Sequence, residues 1–298
     1  MRQSTEQLVT EGGVVIFNPT AGRGRGGLLR AQAQEKLGPA FEWWPTLRPG
    51  HAKELAQIAA EQKHSVIVAY GGDGTVGDVA RGIYGTDSTL GVIPVGTGND
   101  FARNLGLKLE LTEAIATVLG GVIRRIDVGM VNGVPFVNNA GTGFDSAVMQ
   151  TMNTSIRFVR GQPAFLLATL KTLASYKPLT LTYQADDNEP VTEKAMMVSL
   201  LNGRMYGGGM IAAPQAEMDD GQIDVLIIRA MPKPQLLALM PKVIQGQHEN
   251  HPAVKMFKAR KLTINTVPPQ PLNIDGDVSG LTPMTVTVES RVLKVLVR

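Results

Sequence analysis

The tightest constraint on this chain is Tyr70-Gly71-Gly72-Asp73-Gly74-Thr75-Val76, read with its flanks. Ser65 to Ala69 is short, apolar and rich in β-branched residues, which predicts a buried strand. Val76 to Tyr84 carries apolar residues at Val76, Val79, Ala80 and Ile83, the spacing of a short helix. A strand, a glycine turn and a helix in that order gather free backbone N–H groups at a helix start, an arrangement that binds phosphate. The glycines let the backbone approach a ligand. Asp73 suits either a metal ion or the orientation of a donor, and Thr75 offers a hydroxyl. Taken alone, Gly-Gly-Asp-Gly also fits a plain tight turn.

The same pattern recurs through the first half. Val14 to Phe17 predicts a strand, followed by Asn18-Pro19-Thr20-Ala21-Gly22 and further glycines up to Gly27. A helix from Leu28 to Leu37 is stopped by Gly38-Pro39. Phe41 to Trp44 predicts a second strand ending at Pro45-Thr46, then a helix from His51 to Gln62. Leu90 to Val95 predicts a fourth strand running into Gly96-Thr97-Gly98-Asn99-Asp100, and a helix spans Leu111 to Leu119. Strands and helices alternating in this way predict a parallel sheet flanked by helices, with ligands at the strand C-termini. Three glycine loops are therefore expected to converge on one crevice.

After Arg124 the pattern changes. Asp127 to Val131, Asn132-Gly133 and Val134 to Asn138 read as a hairpin. Helices are expected at Phe144 to Met152 and Ala164 to Ala174. Strands follow at Leu179 to Gln184, Lys194 to Asn202, Ile223 to Ile228, Lys261 to Thr266, Thr285 to Glu289 and Val292 to Val297. One helix, Gln235 to Ile244, interrupts them. This is an antiparallel, mostly β domain of two packed sheets. Apart from the initiator, every methionine lies at or after Met130. The expected division is an α/β domain over residues 1–130 and a β-sandwich domain over 131–298.

Composition narrows the function classes. With no cysteine there is no disulfide, thiolate nucleophile or zinc–cysteine site. No apolar run is long enough to span a membrane, and the polar N-terminus lacks the apolar core of a leader, so a cytoplasmic protein is expected. Seven basic residues and one acidic residue lie between Arg229 and Lys261. Such a stretch either attracts an anionic partner or forms a solvated face. The helix bearing Leu236, Leu237, Leu239, Met240, Val243 and Ile244 fits core packing, and its basic flanks also fit membrane docking. His248 and His251 are expected in a polar connection.

Gly22-x-Gly24-x-x-Gly27, with Glu42 downstream, satisfies the dinucleotide fingerprint. Asn18-Pro19 interrupts the tight turn which that fingerprint requires, and a second glycine loop at 71–75 has no role in it. A Walker A loop is absent, so phosphoryl transfer here needs another design.

Asn18-Pro19-x-x-Gly22, Gly71-Gly72-Asp73-Gly74-Thr75, Pro94-x-Gly96-Thr97-x-Asn99-Asp100-Phe101-Ala102 and Asp275-Gly276-Asp277 occur in this order. Together they resemble the diacylglycerol kinase catalytic-domain family of bacterial lipid kinases, relatives of sphingosine kinases and NAD kinases, over nearly the whole chain. The resemblance implies an α/β nucleotide domain followed by a β-sandwich, with the active site between them. It implies ATP contacts from Asn18, Pro19, Thr20, Ala21 and Gly22, from Thr46, from Gly71, Gly72, Asp73, Gly74, Thr75, Val76 and Gly77, and from Thr97. It also implies Mg²⁺ on the Asp220 carboxylate and on carbonyls near Glu217 and Gln222, oxygen ligands that suit a hard cation.

The family's catalytic base is the glutamate of an Asp-Gly-Glu motif. Asp277 takes that place here, one methylene shorter. Gly77-Asp78 stands where the family often has Asn-Glu. The implied activity is ATP-dependent phosphorylation of a lipid hydroxyl, on diacylglycerol or a related lipid, by a protein that visits the membrane surface. No nucleic-acid partner is expected, and a homodimer is left open. An NAD kinase-like activity and a catalytically weak nucleotide- or lipid-binding module are the alternatives.

Overall fold

The computed structural model describes residues 12–155 and 162–298. Its contacts divide the chain into two units, residues 1–128 with 290–298, and residues 129–289. A single cut at 130 would assign the last residues to the second unit; they pack with the first. Among the described residues no helix is long and apolar enough to cross a membrane.

In the first unit, β1 (Gly13–Phe17), α1 (Arg25–Leu37), β2 (Phe41–Pro45), α2 (His51–Glu61), β3 (Val66–Gly71), α3 (Asp73–Ile83) and β4 (Thr89–Pro94) follow one another. The short α4 (Asp100–Asn104), α5 (Leu111–Gly120) and β5 (Val122–Val131) complete the run. The strands β1, β3 and β4 are buried along their whole length, because helices cover both faces of a parallel sheet. The sheet order is β2-β1-β3-β4 with parallel pairing throughout. The order reverses at β1/β3, and such a switch point opens a crevice at the strand C-termini. The core joins Val15, Val68, Tyr70 and Ile93 of the sheet to Ala33, Ala114 and Val118 of the helices.

The second unit begins with β6 (Val134–Phe136) and β7 (Asn139–Gly143), then α6 (Phe144–Ser155) and α7 (Gln162–Ser175). Next come β8 (Leu179–Ala185), β9 (Val191–Leu201), the two-residue pair β10 (Met205–Tyr206) and β11 (Met210–Ile211), and β12 (Ile223–Arg229). The helix α8 (Lys233–Ile244) leads to β13 (Val254–Ala259), β14 (Lys261–Val267), β15 (Pro271–Ile274), β16 (Asp277–Leu281) and β17 (Met284–Val297). The long β9 pairs antiparallel with β8 through its first half and with β7 and β12 through its second, so it belongs to two sheet segments. The unit is a β-sandwich with two cores. Val225 and Ile227 of β12 face one; Leu226 and Ile228 face the other, which α6, α7 and α8 cover.

The two strands expected at the C-terminus are one strand, β17. Its second part pairs parallel with β4, at Lys294↔Thr89 and Val295↔Leu90, and Leu296 enters the first unit's core. At the changeover Arg291 takes φ 56° and its N–H donates to Asp127 Oδ1 at 2.7 Å. His248 is wholly buried rather than in a polar connection, with Nε2 3.0 Å from the Ala212 carbonyl oxygen.

Candidate functional site

The parallel strands deliver three glycine loops and the turn after β2 to one end of the sheet in the first unit, and hydrogen bonds hold them together. Asn18 N donates to the Tyr70 carbonyl at 3.2 Å, Thr46 N to Phe17 at 2.9 Å and Val95 N to Gly71 at 2.9 Å. The loops after β1, β2, β3 and β4 are thus neighbours. Asn18 Oδ1 accepts from Thr20 N and Thr20 Oγ1, both at 2.9 Å, which folds the first loop on itself.

Asp73 joins the second glycine loop to the third. Its Oδ2 accepts from Asn99 N at 2.8 Å and its Oδ1 from Phe101 N at 3.2 Å. Of the two roles open to Asp73, these bonds show the orientation of donors. Asn99, at φ 56°, in turn closes its own loop: its Oδ1 accepts from Gly96 N at 2.9 Å and its Nδ2 donates to the Gly96 carbonyl at 3.0 Å. The two loops approach so closely that a Cβ on Gly96 would lie 2.4 Å from Gly72 Cα. Only glycine permits that contact.

Of the residues expected to hold a nucleotide, Asn18, Pro19, Thr20, Gly22, Thr46, Gly72, Asp73, Gly74 and Thr97 remain accessible. Ala21, Gly71, Thr75, Val76 and Gly77 are buried beneath them. The first N–H groups of α3 have no partner within the helix, and the helix dipole adds positive potential there. Beneath the loops lies an aromatic floor. Trp43 packs on Phe17 and on Tyr70 with ring centroids 5.7 and 5.5 Å apart, and the Arg30 guanidinium lies 5.1 Å from the Phe17 centroid. Burial pushes the Tyr70 hydroxyl up to about 12. Asp78, at a position where this chain departs from the family pattern, pairs with Arg81 at 2.9 Å.

In the second unit, Asp275-Gly276 forms the two-residue turn between β15 and β16, with φ 48° and 92°. Two positive φ values in succession are what a right-twisted hairpin of this length needs. Asp275 anchors the turn. Its Oδ1 accepts from Asn138 N at 2.9 Å and Asn139 N at 3.0 Å, and its Oδ2 from Val137 N at 3.0 Å. Asn273 Oδ1 accepts from Gly276 N at 3.0 Å. Asp277, the first residue of β16, is therefore exposed on a rigid hairpin.

Sequence reasoning did not find the buried Asp145 behind this hairpin. Its Oδ1 accepts from Ser146 N at 2.7 Å, while its Oδ2 makes no hydrogen bond. It fills the space left by Gly141, where a Cβ would sit 3.1 Å from Oδ2. Burial pushes its carboxyl up to about 6, against the opposing pull of Ser146 and the Asn273 amide.

The turn expected to hold a metal carries Glu217, Asp220 and Gln222. Asp220 Oδ1 accepts from Gln222 N at 3.0 Å, and its Oδ2 is bonded by Lys258. Asp224 Oδ2 is buried without a hydrogen bond, 3.6 Å from Lys258 Nζ. Burial pushes Asp224 up to about 6; Asp220 and Glu217 push it the same way, and Lys258 opposes them. Among the described residues no three His, Asp or Glu side chains form a ligand cluster. The expected set needs only one carboxylate with carbonyl oxygens, and the excess of carboxylates over the single ammonium fits a hard cation.

Residues 13–131 match the diacylglycerol kinase catalytic domain, and residues 138–297 match the YegS C-terminal NAD kinase beta sandwich-like domain. A diacylglycerol kinase of Bacillus subtilis (strain 168) is 33% identical over 276 residues, covering 90% of each chain. One of Mycobacterium tuberculosis (strain ATCC 25618 / H37Rv) is 31% identical over 251 residues, covering 82% of this chain and 81% of the other. Among solved structures, a diacylglycerol kinase from Bacillus anthracis str. Sterne superposes with a TM-score of 0.72 at 22% identity, covering 100% of this chain and 98% of that one. An NAD kinase from Archaeoglobus fulgidus in complex with ATP shares the fold at a TM-score of 0.50 and 13% identity, covering 95% and 92%.

Proposed function

Because the chain belongs to the diacylglycerol kinase family, we propose that it transfers the γ-phosphoryl group of ATP to the hydroxyl of diacylglycerol or a related lipid. The observation that carries this reading is the tying of three loops to one another at the sheet's switch point, with Asp73 bonded to the backbone of the third. Fixed backbone donors aimed at phosphate oxygens lower the barrier to phosphoryl transfer without reorganising during the step.

In this reading Gly72, Gly74 and the start of α3 cradle the phosphates, with Asn18 to Gly22, Thr46 and Thr97 completing the nucleotide contacts. Asp277 accepts the proton of the lipid hydroxyl as its oxygen bonds to the γ-phosphorus. The bond to the bridging oxygen breaks and ADP leaves. The Asp275 anchor matters because aspartate is shorter than glutamate by about one C–C bond, roughly 1.5 Å. A rigid hairpin rather than a longer side chain then sets the reach of the base. Asp220, with the carbonyls of Glu217 and Gln222, would hold Mg²⁺, which supplies electrostatic compensation.

The sandwich domain's likeness to NAD kinases keeps one second reading in view, with NAD as the acceptor. Purified protein with ATP, a panel of lipids in vesicles and, separately, NAD, read by mass spectrometry, decides between them. A phosphorylated lipid is the expected product. Phosphorylated NAD alone, or ATP binding with no product, overturns the lipid reading.

A further inference from the structure

Asp145 stands in the first turn of α6, and its Oδ2 is buried without a hydrogen bond. The groups in electrostatic reach of its carboxyl are Ser146, the Asn273 side chain and the Tyr176 and Tyr206 hydroxyls; among the described residues no lysine or arginine acts on it. A buried carboxyl without a cation destabilises a fold. Its surroundings show what it serves. Gly141 of β7 pairs with Asn273 of β15, and Asp145 Oδ2 takes the space that a side chain on Gly141 would fill. The carboxyl thereby meets the Asn273 side chain, which hydrogen-bonds it. Asn273 is itself buried, and its Oδ1 accepts from Gly276 N at 3.0 Å. Gly276 is the residue before Asp277. One turn along α6, Met149 Cε lies 4.0 Å from where a Cβ on Gly276 would sit, so the same helix backs the same turn.

An asparagine amide has two unlike ends, and its neighbours decide which way it points. An ionised carboxylate only accepts, so it draws the Asn273 NH₂ group. That turns Oδ1 toward the Gly276 N–H, which only donates. With an apolar residue at 145 the amide is free to turn over, and its NH₂ would then face another N–H. We propose that Asp145 is a positioning residue for the Asp277 base, acting through the Asn273 amide on the Gly276 N–H. Asp275 ties the turn to the backbone of residues 137–139, and Asp145 with Asn273 ties its second residue to β7 and α6. The inference deepens the lipid-kinase reading and rests on it for the reaction that Asp277 serves.

The test is steady-state kinetics of the full chain with ATP and diacylglycerol in vesicles. Asp145→Leu and Asn273→Ala should each lower kcat roughly 10–100-fold, the scale of a small misplacement of a reacting group. The KM for diacylglycerol and the affinity for ATP should hold within about twofold. Asp145→Asn keeps a carbonyl acceptor for the Asn273 NH₂ and should retain most of the wild-type rate. Asp145→Leu combined with Asn273→Ala should lose little more than either alone, because both break one link. In Asp277→Asn, which has no base to place, Asp145→Leu should lower kcat no further. Additive losses in either combination overturn the proposal. So does a raised KM for diacylglycerol with kcat intact, which would make Asp145 an acceptor contact.

Amide hydrogen exchange across residues 273–281 separates this proposal from the kinase reading, since it needs no turnover. Asp145→Leu and Asn273→Ala should speed exchange at Gly276 roughly tenfold or more, and Asp145→Asn should not. A Gly276 amide as protected in both variants as in the wild type overturns the proposal. Asn273→Ala carries the test from the other end of the link if Asp145→Leu does not fold. If the kinase reading is wrong, no protein in the set phosphorylates lipid, yet the exchange results stand.

Discussion

Replacing Asp73 with asparagine is the most informative single perturbation of the glycine loops. The carboxylate accepts one N–H on each oxygen, from Asn99 and from Phe101, whose residues are 8% and 1% exposed. Asparagine keeps one acceptor and turns a donor toward the other N–H. A buried donor left without a partner costs about 1–3 kcal/mol, and the surviving bond loses its charge assistance, roughly 1 kcal/mol more. Loss of a negative charge in the first turn of α3 adds about 0.3–1 kcal/mol.

The total is about 2–5 kcal/mol, which for a unit of this size lowers Tm by roughly 5–20 °C. Thermal unfolding followed by circular dichroism in EDTA, with ATP affinity measured by titration calorimetry, reads both consequences. Asp73→Asn should melt early without any metal and bind ATP more weakly. A variant that melts with the wild type in EDTA, and loses affinity only when Mg²⁺ is added, would make Asp73 a metal ligand and refute the loop-tie argument.

Other outcomes follow from the same contacts. Gly96→Ala puts a methyl group 2.4 Å from Gly72 Cα and forces the two loops apart. ATP affinity should fall roughly tenfold or more, and an unchanged Kd by calorimetry would show the loops free to adjust. Asp275→Asn tolerates φ 48° but faces three backbone N–H groups with one acceptor fewer, so urea unfolding should show a loss of about 2–3 kcal/mol. Asp145 gives a pH signature. Its folded form still holds a proton between about 4 and about 6, where the unfolded chain has released it. That stability is complete below the unfolded value and falls as pH rises to about 6. Asp145→Asn should therefore gain Tm relative to wild type across that window, and a constant difference would remove Asp145 as the cause.

The first unit was legible because β1, β3 and β4 are apolar runs that end in glycine loops, and parallel-sheet strands buried on both faces read in just that way. The second unit was less so. Asn139–Gly143 is a fully buried strand with scarcely a β-branched residue, because Asp145 takes the space beside Gly141. No propensity pattern marks it. The anchoring of Asp275 joins residues 136 to 138 positions apart, which only the fold brings together. The Asp-Gly turn pointed to Asp277 without revealing what makes its hairpin rigid. On α8 the sequence allowed either core packing or docking for one apolar face. The structure gives the helix both an inner and an outer apolar stripe, since Leu236 and Leu237 point to opposite fates one residue apart.

The central claim is that nucleotide-binding loops and the Asp277 carboxylate act in one reaction. Single-turnover transfer of labelled γ-phosphate from ATP to diacylglycerol in vesicles, comparing wild type with Asp277→Asn, tests it most directly. The account predicts unchanged ATP affinity in the variant and a rate of transfer lower by roughly 10²–10⁴-fold, the scale of general-base catalysis. Equal rates for the two proteins would contradict it.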